Sequence, residues 1–345
     1  MSVNRQGRQT CIFPRPPRIL SGAAVGGPKE GRGPLAADLD HIYTAYRWGS
    51  FSFEQCEQQM QEKALRLALA KAELSPDRVQ LLCGGDLINQ ITPSGFTARA
   101  LDIPYWGLFS ACATAAQALS LAAFSVAGGL AGYALAVAGS HTCTAERQFR
   151  YPNEYGAQKP PCAQHTVTAY GAALLGPAGS PVAVTSFTVG RVRDEKVTDP
   201  FQVGAAMAPA FAHTVAAHLY ERKVEPGYYD LILSGDLGRD GLAIGRELLS
   251  RAGVDTAGSK FGDCGLMLLG GADESFAGGS GCGCAAAVGC GHLPRRLRQG
   301  ELKRVLLCAT GALFSPVANQ QKESIPGVCH AVALEYLPEA EEENK

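Results

Sequence analysis

Charge is scarce in this sequence: of 345 residues, 31 are Lys or Arg and 32 are Asp or Glu, 18% in all, against about 25% in an ordinary soluble domain. The formal net charge of -1 supplies no global field to draw the chain to nucleic acid or to an anionic membrane surface. No nucleic-acid partner is expected. Disorder is excluded by a hydrophobic content of 46%. A phosphate-binding loop is also missing, because Gly128-Gly129, Gly278-Gly279 and Gly281-Cys282-Gly283 lack both Walker spacing and a correctly placed Gly-x-Gly-x-x-Gly helix start. Residues 1–20 run through Arg5, Arg8, Arg15, Pro16, Pro17 and Arg18 with no apolar core of ~7–15 residues. A secretory signal is therefore not expected, and the 12 cysteines read as thiols of a reducing, cytoplasmic compartment. Cys282-Gly283-Cys284 has a single intervening residue and no second pair to complete a zinc site. The isolated histidines His41, His165, His213, His218 and His292 show no ligand spacing.

What is present is length for about two domains' worth of core and a glycine excess, 41 of 345 residues, where average usage is about 7%. Tight turns and close backbone approaches follow from it. From Ile103 to Ser140 there is no charged residue, a run long enough to cross ~30 Å of hydrocarbon. Ser110, Thr114, Gln117, Ser120 and Ser125 interrupt it, and Gly128, Gly129 and Gly132 break it near the middle. The pattern predicts a buried helix from Cys112 to Val126 and a short buried strand at Ala134–Ala138, packed on every side inside a layered α/β protein.

The chain also repeats itself. Val79-Gln-Leu-Leu-Cys-Gly-Gly-Asp-Leu87 is echoed by Asp230-Leu-Ile-Leu-Ser-Gly-Asp-Leu237, each a strand after a helical segment, around 54–72 and 205–223, and a Pro-marked turn. Cys112-Ala-Thr-Ala-Ala116 and Cys284-Ala-Ala-Ala-Val288 each open an Ala-rich stretch, and a strand end follows 27 residues after each cysteine, at Gly139 and Gly311. Two α/β halves from a duplication are expected: residues 1–180 and 181–338, intertwined in one fold, with an acidic tail over 339–345.

Phe109-Ser-Ala-Cys112-Ala-Thr-Ala resembles the nucleophile turn of the thiolase and ketoacyl-synthase superfamily, which implies a five-layered αβαβα fold. A more specific resemblance is carried by Gly26-Gly-Pro-Lys-Glu30, Ala145-Glu-Arg-Gln-Phe-Arg-Tyr-Pro-Asn-Glu-Tyr-Gly156, Thr188-Val-Gly-Arg191, Ala206-Met-Ala-Pro209, Asp263-Cys-Gly-Leu266, Ala277-Gly-Gly-Ser-Gly281 and Gln321-Lys-Glu-Ser-Ile-Pro326. In that order, from about residue 7 to 336, they resemble the stage V sporulation protein AD family of spore-forming bacteria. The resemblance implies a ligand, dipicolinate, with calcium as its companion. It also implies membrane partners from the same sporulation system, a homodimer, and peripheral association with the forespore or spore inner membrane from the cytoplasmic side.

Cys112 at a helix start is exposed to unpaired backbone N–H groups and a partial positive charge, which lower a thiol's pKa and hold anions. It is either a nucleophile for a thioester or a wall of a carboxylate pocket. Superfamily acyl transfer also needs His, Asn or a second Cys from the C-terminal half. The matching positions carry Gly279-Ser-Gly-Cys282 and Gly235-Asp236-Leu237, without His or Asn. Cys282, Cys284, Cys329 and His330 remain as substitutes. Binding without catalysis is thus preferred, with an acyltransferase using Cys112 and a structural partner of membrane channel subunits as alternatives. A pocket for the dianion would draw on Cys112, Asp86, Asn89, Cys282 and His330, with Asp86 also the calcium ligand if the metal accompanies it. The other role open to Asp86 is an Asx-type turn or helix cap, and its equivalent Asp236 is given less weight. Arg147 and Arg150, three residues apart, are assigned first to a subunit interface and second to anion contact, with Glu146–Arg150 pairing at four-residue spacing. Lys322-Glu323-Ser324 is either a pocket loop or a solvated turn.

Overall fold

A computed structural model describes residues 3–150, 158–257, 261–270 and 276–338. The acidic tail and the Tyr151–Gly156 portion of the polar block lie outside the described residues. In chain order the first strands are β1 (Asn4–Gln6), β2 (Thr10–Ile12), β3 (Arg18–Gly26), β4 (His41–Ile42), β5 (Leu81–Gly85), β6 (Tyr105–Gly107), β7 (Ala134–Ser140), β8 (His165–Thr166) and β9 (Ala169–Gly176). They are followed by β10 (Val182–Thr188), β11 (Leu231–Ser234), β12 (Phe261–Asp263), β13 (Gly279–Ser280), β14 (Arg304–Ala312) and β15 (Gly327–Tyr336).

The two halves are built alike. One set of strands runs β3-β9-β7-β5-β6 and the other β10-β15-β14-β11-β12, so each half has the same order relative to its first strand. The directions agree too: β3–β9 and β9–β7 are antiparallel while β7–β5 and β5–β6 are parallel. In the second half, β10–β15 and β15–β14 are antiparallel while β14–β11 and β11–β12 are parallel. Direct pairing between the sets is confined to Ala183 opposite Arg18. What joins them is packing of the helices between them.

Five layers result. Helices Phe53–Lys71 and Thr92–Leu101 cover one outer face, and helices Val203–Arg222 and Gly238–Arg251 cover the other. Between the two half-sheets lie helix Thr114–Ala127 and the continuous helical run Cys282–Arg298, whose middle, Ala287–His292, widens to π geometry. The first outer helix starts at a capping box in which Ser52 Oγ accepts from Gln55 N at 3.2 Å and Gln55 Oε1 accepts from Ser52 N at 2.8 Å. It then buries Cys56, Met60, Ala64, Leu65, Ala68 and Leu69, a stripe at helical spacing, against the sheet. The uncharged stretch from Ile103 to Ser140 forms the interior helix and β7, all of whose residues are buried. Among the described residues no helix is long and apolar enough to cross a membrane.

The glycine excess has its main structural use in the middle layer. A Cβ on Gly171 of β9 would fall 1.9 Å from the carbonyl oxygen of Ala286, and one on Gly22 of β3 would fall 1.9 Å from that of Cys290. Helix backbone thus lies directly on strand backbone, which no larger residue permits. Gly171→Ala is expected to cost about 1–3 kcal/mol of stability by overpacking, read as a lower urea midpoint. An unchanged midpoint would mean that helix and strand are not held this close.

Candidate functional site

The turn that carries Cys112 is bolted locally. Ala111 adopts a left-handed backbone, φ 48°, an uncommon state for a residue with a side chain. Thr114 holds it there, its Oγ1 donating to the Ala111 carbonyl at 2.7 Å and accepting the Ser110 N–H at 3.0 Å. On the far side Gly311 at the end of β14 has no room for a Cβ, which would lie 2.4 Å from the Ser110 carbonyl oxygen. The N-terminal half therefore supplies the sulfur, and the C-terminal half packs directly behind it.

From that second half comes a carboxylate. Asp236, just after β11, is 1% exposed. Its Oδ1 accepts from Thr310 Oγ1 at 2.8 Å, and its Oδ2 accepts from Gly281 N at 2.9 Å and from Ser280 Oγ at 3.4 Å. Cys112 lies near enough to this carboxylate and to the Gly281 N–H for their charges to bear on one another. Gly281 sits at φ 98°, a backbone state that favours glycine and that aims its N–H inward. Gln164 secures the surround, its Nε2 donating to the carbonyls of Asp236 at 2.7 Å and Gly279 at 2.9 Å.

Burial pushes Asp236 up to about 7 against the pull of its donors, first Cys112, then Thr310 and Gly281. Burial also drives Cys112 well above the ordinary thiol range, and the Asp236 charge and Cys282 push the same way, opposed by the Gly281 N–H. The helix start at Thr114 was expected to favour thiolate; desolvation and a neighbouring carboxylate outweigh it. Cys112 is a thiol.

Cys112 opens on a cavity of about 430 Å³, within the usual size of a small-molecule site. Phe109, Phe149, Phe201 and Phe314 supply aromatic walls, and Arg150, Gln158, Thr166, Ser280, Asn319 and Gln320 supply polar edges. Arg150 is the cation among these walls. Its guanidinium carbon lies 5.6 Å from the centroid of the Phe201 ring, Nη1 is 3.6 Å from Glu146 Oε1, and Nη2 donates to the Gln164 carbonyl at 3.4 Å. Nη1 is buried with no hydrogen-bond acceptor among the described residues. A guanidinium over an aromatic face at the edge of an apolar cavity is suited to a carboxylate on a flat ring.

The sequence-predicted residues divide. Cys112 and Arg150 line the cavity; Asp86, Asn89, Cys282, His330 and Arg147 do not. Asp86 is fully buried, with Oδ2 accepting from Ser94 Oγ at 2.6 Å and Ser94 N at 3.0 Å, and Oδ1 accepting from Ile88 N at 2.8 Å. These are the contacts of a turn and helix start, and they occupy both oxygens. Asn89 is exposed, its backbone N–H donating to Gln148 Oε1 at 2.9 Å. Cys282 is buried and donates to the Gly139 carbonyl at 2.7 Å, which places it beneath Cys112 rather than in the cavity. His330 backs the Cys112 turn, Nε2 standing 3.4 Å from Ser110 Oγ while Nδ1 accepts the Gly190 N–H at 3.2 Å. Burial pushes His330 down to about 4, so the ring is neutral. Arg147 pairs with Glu54 away from the cavity, and Lys322 and Glu323 are exposed.

Two contributors were underweighted or missed from sequence. Asp236 was visible as the second Gly-Asp-Leu, but its partners Thr310 and Gly281 are 74 and 45 residues away. Phe201 sits in a charged, Pro-containing stretch with no periodicity to mark it. Among the described residues no group of three or more His, Cys, Asp or Glu side chains is placed to hold a metal ion.

The family model described as Stage V sporulation protein AD (SpoVAD) matches residues 7–335. The Stage V sporulation protein AD of Bacillus subtilis (strain 168) is 44% identical over 329 residues, covering 95% of this chain and 97% of that protein. Among solved structures, 3-oxoacyl-[acyl-carrier-protein] synthase III from Aquifex aeolicus VF5 is similar with a TM-score of 0.59 at 13% identity, covering 93% of this chain and 100% of that one. Xanthomonas campestris OleA E117Q bound with cerulenin has a TM-score of 0.58 at 15% identity, covering 93% of this chain and 97% of that one. At these identities the likeness is one of fold: a thiolase-like condensing-enzyme architecture.

Asp86→Ala is expected to lower stability by about 1–3 kcal/mol, because it strands buried donors at Ile88 and Ser94. Thermal unfolding measures this; an unchanged midpoint would mean that Asp86 is not a structural carboxylate.

Proposed function

We propose, for a chain that belongs to the stage V sporulation protein AD family, a non-catalytic role: it binds dipicolinate in the cavity beside Cys112 and supports its uptake into the developing spore. The observation that carries the reading is Arg150, a guanidinium over the Phe201 ring that lines a cavity walled by four phenylalanines. A planar aromatic ring with a carboxylate fits those two demands together, the ring against apolar walls and the carboxylate on the guanidinium. Acyl transfer is disfavoured by the site's electrostatics. Burial pushes the Cys112 thiol up, and His330 contacts Ser110 rather than the sulfur.

The residues do not fit a resident calcium. Asp236 and Asp86 have both oxygens engaged, and no cluster of acidic side chains among the described residues faces the cavity. In this reading calcium, where it takes part, arrives chelated by the ligand. Uptake also requires passage across a membrane, which this reading leaves to membrane proteins of the same stage. The chain acts as a peripheral, homodimeric binding component at the forespore inner membrane.

Calorimetric titration with dipicolinate, with and without Ca²⁺, is expected to give saturable binding that Arg150→Gln weakens by about 10- to 100-fold, as for loss of a charge-assisted hydrogen bond. No heat in either condition would sink the reading. Incubation with acyl-coenzyme A followed by intact-mass measurement is expected to leave Cys112 unmodified; an adduct that turns over would favour an enzyme.

A further inference from the structure

We propose that a second cavity, walled by Lys71, Arg295 and Arg298, binds a phosphate group, either free or carried on a lipid headgroup. It holds about 420 Å³ and shares no lining residue with the cavity at Cys112. Ile19 of β3 pairs with Leu175, Leu175 with Ala134 at the start of β7, and Ala134 with Leu81 at the start of β5. The Cys112 turn follows the other ends of these strands, where Leu108 N donates to the Gly84 carbonyl at 2.9 Å. The second cavity, beside Leu20 and Gly22, thus lies at the opposite end of the half-sheet.

Local chain geometry fixes its cations. The β3–β9 register shifts between Ile19 and Ser21, and at this bulge the carbonyls of Ile19 and Leu20 both accept from Arg298 Nη2, at 2.7 and 2.9 Å. Lys71, the last residue of helix Phe53–Lys71, donates from Nζ to the Gly22 carbonyl and to Asp40 Oδ1, each at 2.7 Å. Arg295 Nη1 donates to Asp38 Oδ1 at 2.9 Å, and its Nη2 is 3.5 Å from Asp40 Oδ1. All three stand around Ser21, Gly22 and Gly291, which are buried.

Their charges do not cancel. Lys71 pairs with Asp40, Arg295 with Asp38, and the neighbouring Arg296 with Glu301. Arg298 has no carboxylate within ion-pair distance among the described residues, and its carbonyl contacts leave Nη1 and Nε for a ligand. Of the described residues that line the cavity none is acidic and none is aromatic. A flat aromatic acid finds no wall here, whereas three cations on one polar floor suit a compact group with several oxygens. Lys71 and Arg298 also close the last turns of their helices, where a cation offsets the helix dipole. That role alone does not call for three cations on one cavity.

The test has two probes. Calorimetric titration with inorganic phosphate in Tris buffer is expected to give saturable binding that Arg298→Gln weakens by about tenfold, as for loss of a charge-assisted hydrogen bond. Because Arg298 also ties down the Ile19 and Leu20 carbonyls, Gln299→Glu is the second variant. Gln299 is exposed on the same cavity, and a carboxylate there repels the anion without removing an internal contact. It is expected to weaken phosphate by a similar factor. Co-sedimentation with phosphatidylcholine vesicles, with and without phosphatidic acid, separates the two sources. Pelleting that needs phosphatidic acid and is lost in both variants assigns a lipid headgroup; phosphate binding without pelleting assigns a soluble phosphate. No response to either probe, or a response that both folded variants retain, would overturn the proposal. So would a phosphate isotherm that Arg150→Gln abolishes, because the anion would then sit in the cavity at Cys112.

Discussion

Backbone lying on backbone in the middle layer is the constraint from which the rest of this molecule follows. Where Gly171 and Gly22 meet the carbonyls of Ala286 and Cys290, the run Cys282–Arg298 sinks onto the sheet until no side chain separates them. The same closeness brings Gly311 against the Cys112 turn. The two half-sheets share almost no direct strand pairing, so it is these contacts, and the small residues that allow them, that set the distance between the halves. The site lies on that seam and inherits its precision.

Burial in this seam shapes its electrostatics. A helix N-terminus in an exposed setting lowers a cysteine's pKa, whereas here burial raises that of Cys112. The Asp236 carboxylate remains in the interior because Thr310, Ser280 and Gly281 give it hydrogen bonds to replace its hydration. The chain keeps the fold of condensing enzymes.

The two Gly-Asp-Leu copies show how one motif takes two roles. Asp86 finds its donors in its own segment, at Ile88 and Ser94, and becomes the fastening of a strand exit to the next helix. Asp236 finds its donors 44 to 74 residues away, at Ser280, Gly281 and Thr310. The polar Asn89 and Gln90 after Asp86 favoured the first copy for the cavity, and neither aspartate lines it.

By itself, the sequence determined the layered α/β fold, the interior helix and strand between Ile103 and Ser140, the duplication and the placing of Cys112 at a turn before a helix. These depend on short-range pattern: runs of small apolar residues, turn residues at fixed offsets and a repeated strand exit. The same reach covered Arg150, marked by its place among polar residues after a long uncharged stretch, though its cavity-facing role ranked second to an interface. Only the tertiary structure decided that Asp86 is internal, that Cys282 and His330 stand outside the cavity, that Phe201 forms a wall, and that Asp236 is held by Thr310, Gly281 and Ser280. Each of those outcomes depends on which distant backbone comes within about 3 Å, the length of a hydrogen bond. No local pattern encodes that distance; it is fixed when the two halves close on one another.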